Sequence, residues 1–243
     1  MRVIVVRHHE EDSAGFIGAA FEARGAELSG HLLPRDGPLP ALDGVDHIIL
    51  LGAAFSVYDD SPALAWIADE LAWLRQADEA GVPVLGICFG AQALAAAFGG
   101  QVQAAARQEI GWTVIESLHP DLIPPGPWLE FHGDRCLLPP RARLLARNDV
   151  GAQAFSVGRH LAVQFHPEVD GPQLKLWLDA GGRGDVERAG HDPDRFLAQT
   201  VAQEPAARAR ADQLVESALR LARTARSRPG PDVLAGRQLL DPG

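Results

Sequence analysis

Two short stretches carry residues whose types and spacing could do chemistry. The first is Gly86-Ile87-Cys88-Phe89-Gly90, a cysteine with glycine two positions away on each side. This is the cysteine counterpart of the G-x-S-x-G nucleophile elbow. Such an elbow turns sharply from strand to helix, and neighbouring side chains must be absent for the turn to close. It sets the thiol at a helix N-terminus, where backbone N–H groups favour thiolate over thiol. Read alone, the pattern fits a small buried core thiol equally well. The second stretch, Val163-Gln164-Phe165-His166-Pro167-Glu168, runs from an apolar strand into a His-x-Glu pair. Residues two apart on an extended chain point the same way, so Glu168 can turn back on His166. A carboxylate placed there fixes the imidazole tautomer and steadies the imidazolium formed when the ring takes the thiol proton. Pro167 stiffens the turn. Together the stretches describe a nucleophile (Cys88), a base (His166) and an orienting acid (Glu168).

The elements that must position these residues are legible on either side. Val3 to Val6 reads as a buried strand and Phe16 to Arg24 as a helix ended by Gly25. Asp46 to Leu51 is a second apolar run, stopped at Gly52. Pro62 to Ala80 reads as a helix closed by Gly81, where a C-terminal cap belongs. Val82 to Ile87 is a further strand and Ala91 to Phe98 a further helix. Short β-runs alternating with longer helices predict a doubly wound α/β fold, a mostly parallel sheet with helices on both faces. From Gln101 to His166, runs at 111–116, 128–131, 143–146, 153–157 and 161–165 are separated by Pro and Gly and predict added antiparallel strands. Ala207, Ala211, Leu214, Ala218, Leu221 and Ala225 then recur at spacings of four and three, one apolar helix face. That face packs on its own domain or docks a partner or second copy. The expected division is a catalytic domain over 1–180 and a helical extension over 181–243, with a mobile tail from about 227.

The bulk properties narrow the partners. The 243 residues carry a formal charge of −10, which disfavours nucleic acid or an anionic membrane surface as the main partner. Two cysteines make no disulfide framework, and a reducing cytoplasm is the expected setting. The start of the chain lacks the pattern of a signal peptide, and no stretch has the apolar length of a membrane span.

The segments LGICFGAQALAAAFGG and VQFHPEVD resemble the two signature segments of class I (triad-type) glutamine amidotransferases, with a nearer likeness to stand-alone proteins akin to the glutaminase half of GMP synthetase. SVYDD at 56–60, EIGW at 109–112 and FHGDRCLLPP at 131–140 add suggestive matches, so the resemblance extends over roughly the first 170 residues. It implies a flavodoxin-like fold and attack by Cys88 on the side-chain amide of glutamine. A γ-glutamyl thioester then forms and is hydrolysed, with no cofactor and no metal. The resemblance further implies oxyanion donors at the N–H groups of Phe89 and Ala53. Gln92 and the Gly133-Asp134 loop, with Gly52, would hold the substrate. The sequence departs from the family at Gly52-Ala53-Ala54, where a Gly-Gly-Pro type loop is usual. If that loop needs a positive φ at position 53, alanine resists it, and the loop is expected to be poorly formed until substrate or a partner orders it.

Other residues are read as structural. The run His8-His9-Glu10-Glu11-Asp12 looks like a metal cluster, but adjacent loop residues point apart, and a solvated acidic loop is expected. Cys136 lacks partners at zinc-ligand spacing and is expected in the core. His132 is expected to shape its loop. Tyr58 and Asp59-Asp60 border the pocket mouth, or Asp60 or Ser61 caps the helix entered at Pro62. Three whole-protein readings stand. The chain is a glutaminase feeding ammonia to a separate synthetase or acceptor chain, a γ-glutamyl hydrolase or peptidase with the same triad, or a catalytically silent module on the same fold.

Overall fold

The computed structural model describes residues 1–226; the tail expected from about 227 lies outside the described residues. The chain begins with β1 (Arg2–Arg7), α1 (Gly15–Glu22), β2 (Glu27–Leu32), β3 (His47–Leu50), a single 3-10 turn at Pro62–Leu64, and α2 (Trp66–Glu79). It continues through β4 (Val84–Ile87), α3 (Phe89–Ala97), β5 (Gln101–Val114), β6 (Glu116–Ser117), β7 (Pro127–Leu137), β8 (Arg143–Arg147), β9 (Ala152–Val157) and β10 (His160–Val163). It closes with α4 (Gly171–Trp177), a wide turn at Leu178–Gly182, α5 (Arg183–Arg188) and α6 (Pro193–Arg226).

Eight strands form one sheet in the order β2-β1-β3-β4-β10-β9-β8-β6. The first five run parallel, and β9, β8 and β6 add antiparallel strands at one side. The parallel core is made of the β-branched and leucine-rich runs, buried on both faces as parallel strands require. One face packs Phe16, Ile17 and Phe21 of α1 against Ala207, Ala211, Leu214 and Ala218 of α6. The other packs Ile67, Trp73 and Leu74 of α2 against Leu94 of α3. The apolar stripe of α6 from Ala207 to Leu221 is therefore covered by the same sheet face. Strands β5 and β7 form a separate two-stranded antiparallel sheet, backed by Leu174, Val186 and Phe196.

The differences from the sequence reading are local. β2 was not expected: Glu-Leu-Ser-Gly-His-Leu is mostly exposed at the sheet edge and has no apolar run. α3 starts at Phe89 rather than Ala91, because Cys88 itself is the N-cap. Strand β5 runs 14 residues through the polar and alanine-rich stretch 101–108, which has no strand-like alternation.

Candidate active site

The carboxyl ends of β4 and β10 lie side by side, since Val163 pairs with Ile87 in parallel register. This brings the two chemical stretches together. Cys88 has φ 52° and ψ −107°, the one positive φ at a non-glycine residue among the described residues. Holding a side chain there costs on the order of 1–3 kcal/mol and persists only when the surroundings enforce it. They do: Cys88 N–H donates to Val163 O (2.8 Å), and Cys88 O accepts from the N–H groups of Ala91 and Gln92. The flanking glycines are required for space. A Cβ on Gly86 would lie 2.5 Å from Gly90 O, and one on Gly90 would lie 2.2 Å from Leu50 O.

His166 leaves β10 with its N–H donating to Leu129 O (2.8 Å). Its Nδ1 donates to Glu168 Oε1 at 2.7 Å, and both side chains are buried, 4% and 3% exposed. Burial alone pushes the imidazole down. The charges of Glu168 and Cys88 and hydrogen bonds to both outweigh this, and hold the ring well above its ordinary value. The backbone of Glu168 is fixed by α1, because Phe16 N–H donates to Glu168 O (3.0 Å). Gly15, at φ 40°, leaves room for that carbonyl, which a Cβ would meet at 2.0 Å.

The loop after β3 completes the wall. Gly52 faces the centre so closely that a Cβ would lie 3.2 Å from His166 Cε1 and 3.6 Å from Cys88 Cβ. Ala53 is absent from the positive-φ residues. The conformational objection to alanine at this position therefore does not arise, and the expected weakness of the loop has no backbone cause. The N–H groups of Ala53 and Phe89 donate to no protein acceptor among the described residues. For Phe89 this follows from its place in the first helical turn. Gly52, Ala53, Cys88, His166, Phe131 and Trp177 line one cavity of about 440 Å³. Glu11, Asp12 and Asp185 also line it.

The remaining expected residues lie apart from this cavity. Gln92 is buried under the elbow, with Nε2 donating to Gln164 Oε1 (3.3 Å). Gly133 and Asp134 sit on β7, outside the cavity lining. Asp134 accepts from Ser56 Oγ and from Tyr58 Oη (2.8 Å), tying down the tip of the loop that carries Ala53. Ser61 holds the N-cap position before Pro62 without a side-chain cap bond, and its own N–H donates to Asp59 Oδ1 (2.9 Å). Cys136 is buried, and burial pushes its thiol up to about 12.

Sequence reasoning missed two buried groups. His8 is not part of a solvated loop: its ring is buried between Gly52 O and Glu70. The available signal was its place just after a parallel strand, at the carboxyl ends where open α/β folds build their sites. His132 belongs to a buried cluster with Glu109 and Glu130, the one group of potential metal ligands among the described residues. Its Nε2 already lies 3.2 Å from Glu109 and 3.1 Å from Glu130, and its Nδ1 meets Asp134 O. Burial opposes the charge on His132, but the two carboxylates outweigh it and hold the ring above its ordinary value. An imidazolium between two acids accounts for the cluster through hydrogen bonds the protein itself supplies.

A strained cysteine elbow and a buried His-Glu pair thus meet at the carboxyl ends of a doubly wound, mostly parallel sheet. The chain belongs to the class I glutamine amidotransferases, whose family model matches residues 20–175. It is 38% identical over 161 residues to the glutamine-hydrolysing GMP synthase of Thermomicrobium roseum, which covers 62% of this chain and 29% of that protein. It is 35% identical over 140 residues to the corresponding synthase of Aromatoleum aromaticum, covering 50% of this chain and 25% of that protein. The chain thus spans less than a third of the length of the curated relatives it matches. Among solved structures it resembles a glutamine amidotransferase from Thermotoga maritima, with 26% identity, a TM-score of 0.80 and coverage of 91% of this chain and 98% of that one. Among the described residues no helix is long and apolar enough to cross a membrane.

Proposed function

We propose that the protein hydrolyses the side-chain amide of glutamine through a γ-glutamyl thioester on Cys88 and releases ammonia for an acceptor reaction. The observation that carries this reading is the buried 2.7 Å His166–Glu168 bond set against a thiol held at φ 52°. Glu168 takes Nδ1–H, which leaves the other ring nitrogen to receive the thiol proton. The sulfur attacks the amide carbon, and the carbonyl oxygen becomes an oxyanion between the N–H groups of Ala53 and Phe89. His166 returns the proton to the departing ammonia. Water, deprotonated by the same ring, attacks the thioester through a second oxyanion and releases glutamate. Gln92 supports the elbow from beneath, Asp134 acts on the substrate through the Ser56–Tyr58 loop it tethers, and Gly133 is the residue of β7 that precedes it.

The acceptor site belongs to a synthetase partner or domain, by analogy with relatives named GMP synthase. A second reading has specific support. A cavity of about 440 Å³ lies within the roughly 300–1,000 Å³ of drug-sized ligand sites. That room favours a γ-glutamyl amide with a bulkier amine as leaving group. Steady-state assays on glutamine and on γ-glutamyl amides of increasing size separate the two readings. Turnover of none of them would leave the silent-module reading.

A further inference from the structure

We propose that His8, backed by Glu70, is a positioning residue that fixes the orientation of the Gly52–Ala53 peptide and so aims the Ala53 N–H at the oxyanion. The inference rests on the oxyanion role given to Ala53 above. His8 stands at the end of β1 and Glu70 on α2, and both side chains are 0% exposed. His8 Nδ1 lies 2.8 Å from Gly52 O, and Nε2 lies 3.1 Å from Glu70 Oε1. A carbonyl oxygen only accepts, so Nδ1 carries a proton. The second proton lies between Nε2 and the carboxylate.

The ring has little freedom to turn. Trp66 stacks on it with centroids 5.3 Å apart, and Phe89 meets it edge-on at 4.8 Å. Phe55, from the same loop as Ala53, closes a third side at 6.4 Å. A planar trans peptide points its C=O and N–H in opposite directions. Pinning the Gly52 carbonyl toward His8 therefore turns the Ala53 N–H away from His8. A flipped peptide would instead present a carbonyl oxygen to a developing negative charge. Gly52 gives the pin its use: a Cβ there would press on His166 Cε1 at 3.2 Å, and glycine is the residue least able to hold its own backbone in place. Asp134 secures the far end of the loop, so His8 acts at its root and Asp134 at its tip.

The test compares His8→Ala, His8→Asn and Glu70→Gln in the full chain, each checked for folding by thermal unfolding. Three quantities are read: turnover of a γ-glutamyl amide, affinity for the aldehyde analogue of glutamine, and alkylation of Cys88 by iodoacetamide. The aldehyde forms a thiohemiacetal whose oxygen occupies the oxyanion position, whereas iodoacetamide reacts by displacement and needs no such donor. His8→Ala is expected to lower kcat and aldehyde affinity together, by roughly a hundredfold as for loss of one oxyanion donor. KM and the iodoacetamide rate should stay within about twofold. His8→Asn, whose amide can donate near the Nδ1 position, should recover most of the loss, and Glu70→Gln should be mild. Unchanged kcat and aldehyde affinity in His8→Ala would overturn the proposal while leaving the glutaminase reading intact. An equal fall in iodoacetamide reactivity would overturn it too, since His8 would then act on the thiol. A native protein that neither turns over an amide nor binds the aldehyde would overturn the functional reading itself, and the proposal with it.

Discussion

Replacing Glu168 with glutamine removes one negative charge from the triad while keeping an oxygen able to accept from His166 Nδ1. The bond at stake is 2.7 Å long, between side chains 3% and 4% exposed. Glu168 Oε2 has no hydrogen-bond partner among the described residues, so the carboxylate's principal compensation is the imidazolium. Breaking a buried ion pair of this kind by neutralising one member costs about 3–5 kcal/mol. Where that energy is lost from the imidazolium that forms as the thiol is deprotonated, it is, at about 1.4 kcal/mol per tenfold, a fall in turnover of roughly 10²–10⁴. The sign of the titration follows from the causes. Glu168 raises the His166 pKa against the effect of burial, so its loss lowers that pKa. The thiolate–imidazolium pair then loses population at neutral pH. Iodoacetamide alkylation should therefore slow at neutral pH and approach the native rate only in alkaline solution. A variant that keeps the native alkylation profile and turns over within about threefold of native would refute the role given to Glu168.

Three further outcomes are expected. Ala53→Gly should leave turnover within about twofold, because position 53 does not use a positive φ; a gain of tenfold would reveal strain that the backbone does not show. Asp134→Ala should lower kcat by roughly tenfold through the loop, and the double variant Ser56→Ala/Tyr58→Phe should reproduce it. A rise in KM for Asp134→Ala alone would instead mean direct contact with substrate. His47 is buried in β3 with neither ring nitrogen hydrogen-bonded, and burial, with His160 nearby, pushes it down to about 3. Between pH 6.5 and 3 the unfolded chain binds a proton there that the folded chain does not, so its contribution to stability falls as pH falls. At pH 5 the loss is about 2 kcal/mol. Denaturant unfolding of His47→Leu at pH 5 and 7 should show that component gone, and an unaltered difference between the two pH values would contradict it.

What could be read from the sequence was what local pattern encodes. Gly86 answers to Gly90, one turn on, although Gly90 itself answers to Leu50 on a neighbouring strand; the His166–Glu168 pair is two residues apart in the turn just past β10. The parallel core and α6 were likewise visible in apolar periodicity. What escaped depends on residues distant in the chain. His8 looked like one member of a charged run because its burial is set by Glu70 and Trp66, some sixty positions on. The tie from Asp134 to Ser56 and Tyr58 escaped because that loop meets Asp134 only once β7 is placed. The edge strand β2 and the polar half of β5 carry no alternation, since neither contributes a buried face to the main core.

The central claim is that Cys88 carries a γ-glutamyl group during turnover. Acid-quenched protein, mixed briefly with glutamine or a γ-glutamyl amide, can be digested and examined by mass spectrometry. A mass increase of one γ-glutamyl group is expected on the peptide containing Cys88, labile to hydroxylamine. In His166→Ala no adduct should build up, and in Cys88→Ala neither adduct nor turnover should remain. Turnover that persists in Cys88→Ala, or an adduct on another residue, would contradict it.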